Sequence, residues 1–240
     1  NDALDQRGGR SSGLAAMARL AAQADYETTR DNPALEQGTS HLSAHLRFGT
    51  LSAREVYAAV ADTLGDDHPL IRQLHWRDFY TQIGHHHPRV FGHPYDSRTA
   101  RVPWPGDHHA LAAWKEARTG FPLVDAGMRQ LLATGYMHNR VRMVSASFLT
   151  KDLHVDWRDG ERWFARLLVD HDPALNNGNW QWAASTGCDG QPWFRVFNPW
   201  LQQRRHDPDA VYIKRWLPQL ASLPAARIHA FEDKGVPEGI

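Results

Sequence analysis

Apolar residues along the chain recur at intervals of three and four, and no stretch sustains the period-two alternation of a half-buried strand. The pattern predicts an all-α fold. An Ala-rich helix is expected over 14–24, with the Asn32-Pro33 pair interrupting the chain behind it. Ser52-Ala-Arg-Glu55 reads as a capping box, a hydroxyl at the N-cap and a carboxylate three residues on, opening a helix that runs to Gly65. Pro69 suits a first helical position, where its missing N–H is no loss, and starts a segment through Gly84. Pro88, Pro94, Pro103 and Pro105 then mark a loop. Asp107 is placed to cap a helix over 110–118 that Gly120 stops, and Pro122 begins another over 123–133. Further helices are expected at 138–152, 159–169, 177–186 and 210–217, with no internal repeat or low-complexity segment.

Composition narrows the class. The chain has 240 residues, 42% hydrophobic and 22% charged, which fits one globular helical domain over 1–240. No apolar run approaches the roughly 20 residues of a membrane span. The single cysteine, Cys188, cannot form an internal disulfide, and no charged-then-apolar leader follows Asn1, so a reducing cytoplasmic location is expected. The 27 basic and 27 acidic residues cancel, so any phosphate partner must be met by local clustering rather than bulk charge. Ten tryptophans exceed ordinary packing needs and leave stacking or electron-transfer roles open. Dinucleotide-fold, Walker, serine-hydrolase and zincin motifs are absent. His41 and His45 share a helical face and His85-His86-His87 cluster, but no third ligand of metal-site spacing accompanies either, and no metal is expected.

Three constellations carry chemistry. Asn139, Arg142 and Met143 crowd one helical face beside small residues, a wall for a flat, anionic, partly aromatic ligand; the plainer alternative is an arginine paired with a core carboxylate. Asp170 and Asp172 precede the amide-rich run Asn176-Asn-Gly-Asn-Trp-Gln-Trp182, offering acceptors for a ring N–H and a ribose, or simply helix caps and a turn. Gly38-Thr-Ser-His-Leu-Ser43 supplies hydroxyls and amides for phosphate, within reach of Tyr26 and Arg30; capping explains the hydroxyls equally well.

Together with Glu36 through Ala44, Trp76-Arg-Asp-Phe-Tyr80, Trp114 through Ala126, Met137-His-Asn-Arg140, Asn176 through Thr186 and Phe194-Arg-Val-Phe-Asn-Pro199, these residues form long motifs in a fixed order. The chain resembles the flavin-binding helical domain of the photolyase and cryptochrome family, closest to cyclobutane pyrimidine dimer photolyases, over roughly residues 20–220. The resemblance implies non-covalent FAD in a folded conformation. Tyr26, Arg30, Thr39, Ser40, Leu42 and Ser43 would cradle its pyrophosphate side, and Asn139, Arg142, Asp170 and Asp172 would surround flavin and ribose, with Arg142 paired to Asp170. Asn176 falls where the family faces flavin N5, and an amide there resembles repair enzymes rather than plant cryptochromes. Trp180, Trp157 and Trp114 match the tryptophan relay that reduces flavin under light, running from flavin to surface.

The implied activity is light-driven repair of DNA, by electron transfer to a pyrimidine dimer flipped out of the duplex. Gln73, Trp76, Arg77, Met143, Trp182 and Arg195 would then contact damaged DNA, the implied partner of a monomer. Gln73 departs from the glutamate usual in cyclobutane-dimer enzymes and resembles (6-4) photolyases and animal cryptochromes, so a (6-4) enzyme or a blue-light photoreceptor is the alternative. Asn139 argues against the (6-4) reading, because those enzymes carry histidine there. Nothing before Asn1 corresponds to the family's N-terminal α/β domain, so no antenna chromophore is expected on this chain.

Overall fold

A computed structural model describes residues 7–189, 192, 193 and 195–234; Phe194 of the last motif lies outside them. Among the described residues the regular structure is helical, without a strand: α1 (Arg10–Met17), α2 (Tyr26–Thr29), α3 (Ser43–Arg47), α4 (Ala53–Leu64), α5 (Pro69–His86), α6 (His108–Lys115), α7 (Pro122–Thr134), α8 (Asn139–Ser147), α9 (Trp157–Leu167), α10 (Pro173–Ala184), α11 (Pro199–His206), α12 (Val211–Trp216), α13 (Ala225–His229) and α14 (Phe231–Lys234). No helix among them is long and apolar enough to cross a membrane. The all-α expectation holds, and the boundaries show where tertiary contacts overrode local pattern.

The capping box at α4 forms in full. Ser52 Oγ accepts from the Glu55 N–H at 3.1 Å, and Glu55 Oε2 accepts from the Ser52 N–H at 3.4 Å. Pro69 opens α5 as expected, and the helix runs two residues past Gly84, stopping at His87, whose backbone the following Pro88 excludes from the helical region. The helix expected over 14–24 breaks after Met17 and resumes as a 3₁₀ turn, Leu20–Gln23. There His68 Nε2 lies 3.1 Å from the Gln23 carbonyl, drawing that backbone group out of a helical ladder, and the Gln23 side-chain amide donates to the Gln37 carbonyl at 2.9 Å. The helix expected over 138–152 ends as α at Ser147 and continues as a π turn, Phe148–Asp152. α10 begins four residues earlier than expected because Asp172 caps it, accepting from Ala174 and Leu175 N–H groups. α9 likewise starts at Trp157, under the Asp156 cap. α11, capped by Asn198, and the short α2, α3, α13 and α14 lack a periodicity long enough to be read in advance.

Buried side chains fall into two clusters. The larger gathers α7, α8, α9, α10 and α12 around Trp114, Leu123, Met137, Phe148 and Trp157. The smaller joins α4 and the start of α5 to the N-terminal segment through Leu20, Tyr26, Leu51, Val56 and Ile71. α10 packs against α9, α8 and α5. Two glycines set those approaches. A Cβ on Gly160 of α9 would lie 2.1 Å from the Trp180 ring, and one on Gly178 of α10 would lie 2.1 Å from the Tyr80 ring.

Gly160→Ala is therefore expected to displace Trp180 and lower stability by about 1–3 kcal/mol. Urea denaturation with tryptophan fluorescence checks this; an unchanged midpoint and spectrum would show that the indole has room to yield.

Candidate functional site

A cavity of about 490 Å³ opens where the two clusters face each other. One wall carries Tyr26, Arg30, Thr39, Ser40, Leu42 and Ser43; the other carries Asn139, Arg142, Met143, Asp170, Asp172, Asn176, Trp180 and Trp182; Gln73, Trp76 and Arg77 of α5 also line it. Residues up to 156 positions apart in sequence thus share one space. His41, within the hydroxyl-rich wall, has a left-handed backbone with φ 53°, and its ring Nε2 lies 2.8 Å from the Glu36 carbonyl.

The polar centre is Arg142 with Asp170. The guanidinium donates two parallel bonds to the carboxylate, at 3.1 and 3.0 Å, and a third from Nε to the Met137 carbonyl at 2.6 Å, while lying over the Tyr136 ring. The Asp170 side chain is 4% exposed. Burial pushes its carboxyl upward, but the charge and hydrogen bonds of Arg142, with the Ser43 hydroxyl, overcome that and hold it below the ordinary range. Both readings of Arg142 from the sequence therefore coincide: it is paired in the core and it lines the cavity.

Asp172 also combines two roles. One oxygen caps α10, while the other stands 3.8 Å from Arg77. The Asn176 amide nitrogen donates to the Glu161 carbonyl of α9 at 3.0 Å, which turns Oδ1 away from that helix. Asn139 reaches back to Met143 Sδ at 3.6 Å, the i,i+4 contact expected of one helical face. His138 caps α8 through Nδ1, and burial pushes its imidazole down to about 4, keeping that acceptor unprotonated.

Aromatic groups frame the opening. Trp76 is 45% exposed, edge-on to Phe79 and 5.9 Å from Tyr80. Trp182 lies 6.0 Å from Phe197. Trp180 closes the inner wall, edge-on to Trp114 at 6.1 Å and to Phe164 at 5.0 Å.

Three residues chosen from the sequence, Arg195, Trp114 and Trp157, do not line the cavity. Arg195 is exposed on the segment between α10 and α11, outside the cavity, where it is open to a phosphate; the chain there is pinned at Phe197 N–H to Ser147 Oγ. Trp114 is wholly buried, donating from its indole to the Ser145 carbonyl, so it cannot be the surface end of a relay. It stands edge-on behind Trp180, and Trp157 is equally buried. Sequence reasoning missed Arg47, which donates from Nε to the His171 carbonyl at 2.5 Å and ties α3 to the opposite wall. It also missed Tyr80 and Asn179, cavity residues beside motif positions already chosen. Among the described residues no group of histidine, cysteine or carboxylate side chains is arranged to hold a metal.

The donor set suits a dinucleotide flavin: hydroxyls and a guanidinium on one wall for phosphates, buried carboxylate and amide groups on the other for ring and ribose N–H and O–H groups, and an indole for the ring face. The fold and cavity define a helical flavin-binding domain. Residues 70–238 match the FAD binding domain of DNA photolyase. The chain is 50% identical to a deoxyribodipyrimidine photo-lyase of Halobacterium salinarum over 222 residues, covering 89% of this chain and 46% of that protein. It is 48% identical to the Escherichia coli deoxyribodipyrimidine photo-lyase over 212 residues, 85% of this chain and 45% of that protein. An archaeal photolyase structure from Sulfolobus tokodaii, described with two FAD molecules, superposes with a TM-score of 0.88 at 49% identity, covering 97% of this chain and 52% of that one. A Synechocystis cryptochrome superposes at 0.86 and 35% identity, covering 99% and 53%. The chain belongs to the photolyase and cryptochrome family, as its FAD-binding domain, and spans about half the length of the curated relatives it matches.

Asp170→Asn should remove about 3 kcal/mol of stability at neutral pH, because Arg142 is left without its counter-charge. A depressed carboxyl stabilises the fold above its ordinary value of 3.8, and that contribution is lost as the pH falls through the lowered value. Urea denaturation of both proteins from pH 7 downward should show the difference shrinking below that range; a difference that persists in acid would mean Asp170 is not ionised.

Proposed function

We propose that this domain carries light-driven repair of cyclobutane pyrimidine dimers in DNA, acting as a monomer in the cytoplasm, with FAD held in the cavity described above. The observation that carries the reading is a single cavity in which a phosphate-type wall, the Arg142–Asp170 pair and the aromatic pair Trp76 and Trp182 meet. Bound in its reduced form, FAD would supply the photoexcited electron that splits the cyclobutane ring.

The chain's own residues do the remaining work. Tyr26, Arg30, Thr39, Ser40 and Ser43 bind the diphosphate, and the Leu42 side chain closes that wall against water. Arg142 and Asp170 hold each other and present fixed charge to the flavin edge, while Asn139 and Asp172 accept or donate at its periphery. Asn176 offers Oδ1 as an acceptor without bringing a second carboxylate beside an electron-rich ring. Trp180 lines the cavity from behind and is the residue we assign to electron supply during photoreduction. Trp76 and Trp182 flank the opening as stacking platforms for an extruded lesion, with Gln73 donating to a base carbonyl, Met143 in contact and Arg77 near phosphate. Gln73 cannot release a proton as glutamate can, and it is the feature that favours a (6-4) enzyme or photoreceptor as the second reading.

The deciding experiment mixes chemically reduced, FAD-loaded protein with an oligonucleotide bearing one cyclobutane thymine dimer under blue light. Recovery of thymine absorbance is expected. Its absence with FAD bound would reject the repair reading for this lesion and move the assignment to the alternatives. Trp182→Ala is expected to weaken binding of the damaged oligonucleotide by about 1–3 kcal/mol, and unchanged affinity would remove it from the site. Trp180→Phe should slow photoreduction while leaving repair by chemically reduced protein in place; equal photoreduction rates would reject that assignment.

A further inference from the structure

Arg30 lines the cavity, and its guanidinium has a ring on one side and a carboxylate on the other. It lies 5.1 Å from the centre of the Tyr26 ring, and its Nε is 4.0 Å from Asp31 Oδ1. The same carboxylate receives a bond from Arg140 Nη2 at 2.5 Å, across 109 positions of sequence, from the first turn of α8. Burial would raise the Asp31 carboxyl, yet the Arg140 bond and charge, with smaller contributions from His206 and Arg30, bring it below the ordinary range. His206 ends α11 beside this pair, and burial pushes its ring down to about 4, so it stands there uncharged at neutral pH. Neither Asp31 nor Arg140 lines the cavity.

We propose that Asp31, clamped by Arg140, is a positioning residue that aims Arg30 at the cofactor diphosphate and thereby sets how long FAD stays bound. The inference rests on the FAD reading of the cavity. A free arginine surrenders rotamer freedom when it meets an anion, whereas one already braced by Tyr26 and Asp31 surrenders less. The brace brings a negative charge close to a diphosphate, and Arg140 offsets it, leaving the Arg30–Asp31–Arg140 array with one net positive charge. Arg140 also joins the segment that follows α2 to α8, so the two walls are tied behind the ligand rather than across it.

The test uses the FAD-loaded chain diluted from excess flavin, with release followed by the rise in free-flavin fluorescence. Arg30→Gln and Asp31→Asn are each expected to release FAD about tenfold faster than the parent. In the Arg30→Gln background, Asp31→Asn should add less than twofold, because a residue acting only through Arg30 has nothing left to act on. Release from Asp31→Asn at the parental rate would overturn the proposal, as would two effects that multiply, which would make Asp31 a structural residue. Thermal unfolding of the flavin-free proteins shows which variants fold. If Asp31→Asn does not, Arg140→Gln and Arg140→Lys decide: about tenfold faster release for glutamine, near-parental release for lysine, and equal rates in all three would overturn it. A parent that holds no FAD overturns the cofactor reading itself, an outcome distinct from any difference among variants.

Discussion

The carboxylate of Asp170 is the constraint on which the arrangement of the cavity depends. It is a charge placed where almost no water reaches it, and it is tolerable there only because Arg142 meets it with two parallel hydrogen bonds and Ser43 adds a third. The three residues come from three places: Asp170 from the approach to α10, Arg142 from α8, and Ser43 from the start of α3. Satisfying one buried charge therefore fixes the relative position of both walls. Arg142 is itself over-determined, braced on the Met137 carbonyl and the Tyr136 ring, so the pair has little freedom to re-form elsewhere.

Packing carries that constraint outward. α10 is pressed against α9 at Gly160 and against α5 at Gly178, and each glycine makes room for a ring, Trp180 in one case and Tyr80 in the other. The first contact sets the inner wall of the cavity, and the second sets the helix that carries Gln73, Trp76 and Arg77. An amide network continues the tie: Gln181 bonds Asn177 at 3.0 Å, and Asn177 reaches the Glu161 carboxylate at 2.8 Å. Asn176, next to Asn177, is aimed by the backbone of that same glutamate. Residues that line the cavity and residues that hold helices together thus alternate along two turns, which is why the run from Asn176 to Trp182 is dense in both.

The polar groups of the cavity are arranged in an ordered way. Arginines lie at its wall and behind it, with Arg142 and Arg140 each committed to a carboxylate, and Arg30 standing at the wall itself. Such an interior binds an anion without rearranging its own charges, which favours a ligand that carries phosphate at one end and an uncharged aromatic system at the other. The exposed Trp76 face leaves the opening suited to a second flat partner.

Much of this was legible in the chain because it is local. The capping box at Ser52, the proline at the head of α5, and the i,i+4 contact of Asn139 with Met143 follow from neighbours within one turn. The long motifs also pointed to the cavity residues, and all but Arg195 of the proposed cofactor and DNA contacts line it. Tertiary structure decided what depends on distance. It turned the Gln23 carbonyl to His68 where the first helix breaks, buried Trp114 behind Trp180, left Arg195 in solvent, and joined Asp31 to Arg140 over 109 positions. A sequence pattern reports which side chains share a turn or a strand face, since backbone geometry sets those spacings. Which charges meet across the core, and which rings reach water, is set by how helices pack, and spacing along the chain does not encode that.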